Sequence, residues 1–161
     1  GEPRARERLG MALEDLRQRY DVVLIDNEPS INVLTDNALQ NSDAVIIPSY
    51  AEALSVQGFD RLQKQIQSIE SYYGPVEILG IVVNRIEQNN QADAMVEQLR
   101  ENFGAHLPVW EVRKRVALQR SLSKHQRSMF GVEEETDMED VLDEIAAEIE
   151  ATFQVGEVAD V

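Results

Sequence analysis

Three short apolar runs rich in β-branched residues, Val22 to Ile25, Val45 to Ile47 and Ile81 to Val83, constrain this chain more than anything else in it. Apolar runs without polar alternation bury both faces of a strand, which is the habit of parallel sheets covered by helices. Between the runs the apolar period changes to that of amphipathic helices. Leu9, Leu13, Leu16 and Tyr20 stripe residues 4–20; Phe59, Leu62, Ile66, Ile69 and Tyr73 stripe residues 56–73; Ala92, Val96, Leu99 and Phe103 stripe residues 91–103. A short helix is expected over 31–40, and others within 116–130 and 137–153, the last striped by Met138, Val141, Leu142, Ile145 and Ile149. Strands are expected over 21–26, 44–48, 76–84 and 107–112. Strand and helix alternate, so the fold class is α/β: a doubly wound, mostly parallel sheet with flanking helices and right-handed crossovers. Residues 1–153 read as one domain and 154–161 as a frayed acidic tail.

Several function classes drop out at once. No apolar run approaches the roughly 18–20 residues that cross a bilayer, so no membrane partner is expected. The charged first twenty residues do not read as a secretory signal. With no cysteine there is no disulfide, thiolate nucleophile or Cys-ligated zinc, which fits a cytoplasmic protein. His106 and His125 lack the spacing and partners of a zinc site. There is no Gly-x-Ser-x-Gly elbow. The chain carries 30 acidic and 15 basic residues, a net charge of −15, and lysine is scarce: Lys64, Lys114 and Lys124 only. An acidic, Arg-rich, Lys-poor surface suits a halophile, since concentrated salt screens its self-repulsion; an ordinary acidic protein is the plainer reading.

In an open parallel sheet, ligands bind beyond the carboxyl ends of the strands. Asp26 ends the first expected strand, where a carboxylate can hold hydrated Mg²⁺ beside a phosphate. It could equally cap the turn that follows.

The segment Tyr20-Asp21-Val22-Val23-Leu24-Ile25-Asp26-Asn27-Glu28-Pro29-Ser30 resembles the Tyr-Asp, apolar strand, Asp-x-x-Pro-Ser stretch of the ParA/MinD (Soj-like) deviant-Walker partition ATPases. The likeness continues in order. Leu34 to Leu39 is similar to the helix after the Asp loop. Ala44 to Pro48, Glu52 and Leu54-Ser55-Val56-Gln57-Gly58 are similar to the next strand and its Glu-x-x-(Ala/Ser)-Leu-x-Gly stretch. Gly80-Ile81-Val82-Val83-Asn84-Arg85 resembles the strand ending at the nucleotide base. The resemblance covers residues 6 to about 131 and implies a P-loop NTPase-like fold, with ATP and Mg²⁺ as cofactors. It implies that Asp26 orients a magnesium-bound water and that Pro29 shapes the loop sensing the γ-phosphate. Asn84, with Arg85 beside it, would contact the adenine; read alone, Asn84 could simply end a strand.

Two departures accompany the resemblance. Asn27-Glu28-Pro29 replaces a small residue or Cys followed by two prolines, bringing a carboxylate near the expected phosphates. Glu111-Val112 stands where Ile-Pro precedes an Arg, here Arg113. A larger departure is that no Gly-x4-Gly-Lys-Ser/Thr, and no deviant form of it, occurs in these 161 residues. Without glycines to wrap phosphates and a Lys to neutralise them, the chain alone is not expected to hydrolyse ATP. The expectation is the C-terminal portion of a longer ATPase.

Charge is unevenly placed. From Val112 to Gly131 lie Arg113, Lys114, Arg115, Arg120, Lys124 and Arg127 with no acid, whereas residues 132–161 hold twelve acids and no base. The basic island is a candidate for non-specific contact with the DNA backbone, or else it pairs with the acidic tail. The family likeness implies a nucleotide-dependent homodimer, non-specific DNA and a centromere-binding ParB-like partner, in a nucleoid-associated cytoplasmic protein. The MinD branch fits less well, because its basic amphipathic membrane helix would fall where this chain is acidic. Alternatives are a receiver-like signalling module with Asp26 as phosphoacceptor, and a catalytically inactive ParA-like binding protein.

Overall fold

The computed structural model describes residues 8–27, 33–50, 64, 67–69, 71–72, 77–114 and 137–155. In chain order these hold α1 (Arg8–Arg17), α2 (Val33–Gln40), β1 (Ala44–Tyr50), β2 (Glu77–Ile86), α3 (Asn90–Phe103), β3 (Val109–Arg113) and α4 (Asp137–Phe153). Residues 67–69 and 71–72 are helical, within the helix expected between β1 and β2. The helix expected within 116–130 and the tail at 156–161 lie outside the described residues.

The three strands form one sheet in the order β1-β2-β3, and both pairings are parallel. Ala44 lies opposite Glu77 and Tyr50 opposite Asn84, while Ile81 lies opposite Val109 and Ile86 opposite Arg113. β2 is therefore the central strand of the three, and its apolar content is what double-sided burial requires: Leu79, Ile81, Val83 and Ile86 are all buried.

One face of the sheet packs on α3. Ile47, Ile81, Val83 and Ile86 meet Ala92, Val96 and Leu99, with Ile69 joining from the segment before β2. The stripe read from the sequence over 91–103 is the buried face of α3. Asn89 caps that helix: its Oδ1 accepts from Ala92 N at 2.8 Å, supplying one of the first-turn donors with a partner. Trp110 alternates to the opposite face, where it is buried over Gly80; α4 also packs against β3. A Cβ on Gly80 would lie 2.5 Å from Trp110 Cζ3 and 2.7 Å from the Pro108 carbonyl oxygen, so this crossing needs glycine.

The strand expected over 21–26 is not formed. Residues 22–27 are irregular, Val22 is exposed and Leu24 is 81 % exposed. The physical reason lies in the pairing. An apolar run becomes a buried strand only when neighbours take up its backbone N–H and C=O groups, and no described strand pairs with 21–27. The other described boundaries move by no more than three residues. β2 extends through Arg85 and Ile86, so Asn84 sits inside the strand rather than at its end.

Candidate functional site

Parallel pairing collects the last residues of β1, β2 and β3 on one edge of the sheet: Tyr50, Asn84, Arg85, Ile86, Arg113 and the following Lys114. Lys114 N donates to the Ile86 carbonyl at 2.9 Å, tying the ends of β2 and β3 together. Ligand sites of open parallel sheets lie at this edge.

Two of the sequence-derived candidates, Asn84 and Arg85, form a small constellation with Tyr50. The register shift between Val83 and Ile86 takes three steps on β2 against two on β3, a β-bulge with an extra residue on β2. Arg85 occupies it with φ 57°, in the left-handed region, at a cost of roughly 1–2 kcal/mol for a residue with a side chain. Asn84 Oδ1 accepts from Arg85 N at 2.7 Å and so braces the bend. The Arg85 guanidinium carbon lies over the Tyr50 ring, 5.2 Å from its centroid. All three side chains are exposed. Sequence reasoning overlooked Tyr50, because an aromatic residue at the end of a strand gives no signal until the register sets it opposite Asn84.

Arg113 reaches Asp93 of α3 at 3.0 Å and Glu111 at 3.3 Å, and Glu111 also takes Arg100 of α3 at 2.7 Å. Arg100, Glu111, Arg113 and Asp93 thus alternate in sign along the seam between α3 and β3. Lys114 meets Glu87 at 3.3 Å. The acids pairing with Arg113 and Lys114 come from the end of β2, from α3 and from β3, not from the acidic tail. Arg115, Arg120, Lys124 and Arg127 lie outside the described residues.

Asp26 is exposed in the irregular stretch after α1, and nothing in the described geometry joins it to Asn84 and Arg85. Pro29 lies outside the described residues. Among those described, no three His, Cys, Asp or Glu residues group as a metal-ion site, so Asp26 could act on Mg²⁺ only through water or with other ligands. The donors at the β1–β2 edge fit a nucleoside base: an amide, a guanidinium and an aromatic ring. The phosphate end has no matching glycine-rich loop in this sequence. Among the described residues, no helix is long and apolar enough to cross a membrane.

Comparison with known proteins bears on the fold and on likeness of sequence. A family model described as an AAA domain matches residues 2–76. The chromosome partitioning protein ParA of Caulobacter vibrioides is 36 % identical over 101 residues, covering 60 % of this chain and 38 % of that protein. The sporulation initiation inhibitor protein Soj of Bacillus subtilis is 31 % identical over 98 residues, covering 60 % of this chain and 39 % of that protein. The chain thus spans about two fifths of the length of these relatives. Among solved structures, apo McdA from Cyanthece superposes with a TM-score of 0.60 at 16 % identity, over 93 % of this chain and 57 % of that one. Cobyrinic acid a,c-diamide synthase from Mycobacterium smegmatis, with bound ATP analog and magnesium, gives 0.55 at 24 % identity, over 81 % and 61 %. The parallel sheet and its helices are those of the P-loop NTPase fold. By sequence the chain is similar to proteins named ParA and Soj, and its fold is that of the solved neighbours.

Proposed function

We propose that this chain is part of an ATP-hydrolysing, ParA-type partition protein. In its intact form that protein binds ATP with Mg²⁺, dimerises around nucleotide and holds DNA without reading its sequence. The observation that carries the reading is the ordered likeness to proteins named ParA and Soj, together with the exposed Asn84–Arg85 pair at the carboxyl end of β2. Bound nucleotide would supply the reactive phosphoanhydride; the residues here act around it. Asn84, its Oδ1 engaged by Arg85 N, keeps its Nδ2 to donate to a ring nitrogen of the base. Asp26 would orient a magnesium-bound water, and Pro29 would shape the loop beside it. A ParB-like centromere-binding partner and a nucleoid-associated, cytoplasmic location complete the proposal, for plasmid or chromosome segregation.

The experiment is ATP hydrolysis, nucleotide-dependent sedimentation and DNA binding, measured on the natural protein including any sequence outside these 161 residues. ATP is expected to promote both dimer and DNA complex, and Asp26→Ala to lower hydrolysis by about a hundredfold or more, as losses of electrostatic catalytic groups do. Hydrolysis and DNA binding that ignore both ATP and Asp26→Ala would overturn the reading.

A further inference from the structure

Resting on the reading of this edge as a nucleotide site, we propose that Tyr50 is a positioning residue: it holds Arg85 as a stacking plate for the purine base. In a regular strand successive side chains alternate between faces, so Arg85 would point away from the side that Asn84 occupies. The bulge breaks that alternation. Its extra residue falls between Val83 and Ile86, and Arg85 takes up φ 57°, a conformation ordinarily left to glycine in such bulges. Bulges re-aim side chains, and backbone outliers kept by non-glycine residues gather at binding sites.

Three contacts fix where Arg85 is aimed. Asn84 Oδ1 accepts from its backbone N–H at 2.7 Å, Tyr50 stands opposite Asn84 in the ladder, and the guanidinium lies over the Tyr50 ring at 5.2 Å. Neither Tyr50 nor Arg85 is buried by the fold; Tyr50 is 48 % exposed. The aromatic ring covers one side of the guanidinium, and Arg85 as a whole stays exposed. A planar, weakly hydrated guanidinium held in this way stacks readily on a nucleobase, and the two-ring purines offer it the larger face. Asn84 donating to the base edge and Arg85 stacking on the base face would together seat one nucleoside.

The test uses adenosine, which has no phosphates and so reports on this edge alone. It is titrated into the chain and followed by amide and arginine side-chain NMR shifts, for wild type, Tyr50→Phe, Tyr50→Leu, Arg85→Gly and Asn84→Ala. Tyr50→Phe keeps the ring and is expected to bind within about twofold of wild type, whereas Tyr50→Leu should weaken adenosine about five- to tenfold and shift the Arg85 side-chain resonances. Arg85→Gly accepts the positive φ without strain, so it keeps the bulge, removes the plate and should lose binding as Tyr50→Leu does. Cytidine should bind more weakly than adenosine to wild type, and that preference should shrink in Tyr50→Leu. If Asn84→Ala abolishes binding while Tyr50→Leu binds like wild type, the positioning role falls and the nucleotide reading of the edge stands. If wild type shows no shifts at this edge with adenosine, the reading underneath falls as well.

Discussion

Gly80 and Trp110 show how much one hydrogen atom decides at the scale of a residue. The chain's single tryptophan is 6 % exposed, lying where a side chain at position 80 would stand, with the rigid Pro108 carbonyl on its other flank. Gly80→Ala must displace backbone as well as ring, and the expected loss is about 1–3 kcal/mol of folding stability, the range for overpacking a filled core. Urea unfolding followed by Trp110 fluorescence measures it, since no other tryptophan contributes; an unchanged midpoint would mean the crossing is looser than described. The sequence placed Gly80 only at the start of a strand motif. That a ring would lie across it depends on which residue β3 brings alongside, and no local pattern encodes that.

At the scale of elements, α3 is held by its cap and by the ionic seam to β3. Its apolar stripe was legible because a helix repeats its buried face every three or four residues. Its start was less so, since Asn89 is one of several polar residues between β2 and the stripe. Asn89→Ala removes the acceptor for Ala92 N, and a loss of about 1 kcal/mol is expected in urea unfolding. The seam makes a separate prediction. Glu111 takes both Arg100 and Arg113, so Glu111→Gln leaves two guanidinium groups facing each other across α3 and β3. Because Arg100 and Arg113 remain partly exposed, the cost should be only about 0.5–1 kcal/mol at low ionic strength. It should fall to less than half of that near 1 M salt, where the screening length is about 3 Å. Melting curves at two salt concentrations, for wild type and variant, check both magnitude and direction.

For the whole molecule, the question is where the charge goes. A net charge of −15 argues against DNA and the basic island argues for it; of the island's cations, the structure describes Arg113 and Lys114. Arg113 and Lys114 already face Asp93, Glu111 and Glu87, and would have to exchange those acids for phosphates. Each phosphate contact contributes about −0.9 to the slope of log affinity against log salt. Two unrestrained cations would account for about 1.8 of that slope, so neutralising Arg113 and Lys114, which are held by acids, should flatten it by less than about 1. Fluorescence anisotropy on a short duplex over a salt series measures it for wild type and the Arg113→Gln, Lys114→Gln double variant; a change of about 1.8 would show that the described ion pairs do not restrain the two cations.

What the sequence determined by itself is everything with a short period or a local order: the α/β alternation, the parallel class, the faces of α3 and α4, and a motif order that resembles ParA-type proteins. Only the tertiary structure decided the rest. It left Val22 to Ile25 outside the sheet although their composition suits a buried strand, because β structure is completed by a partner and a run of apolar residues does not contain one. It set Tyr50 opposite Asn84, turned Arg85 through a bulge, and gave Arg113 and Lys114 their acids. Tyr50 with Asn84, Arg113 with Asp93 and Lys114 with Glu87 are each distant along the chain, and ladder register and ion pairing are energies of neighbours in space. A sequence states its neighbours only along the chain.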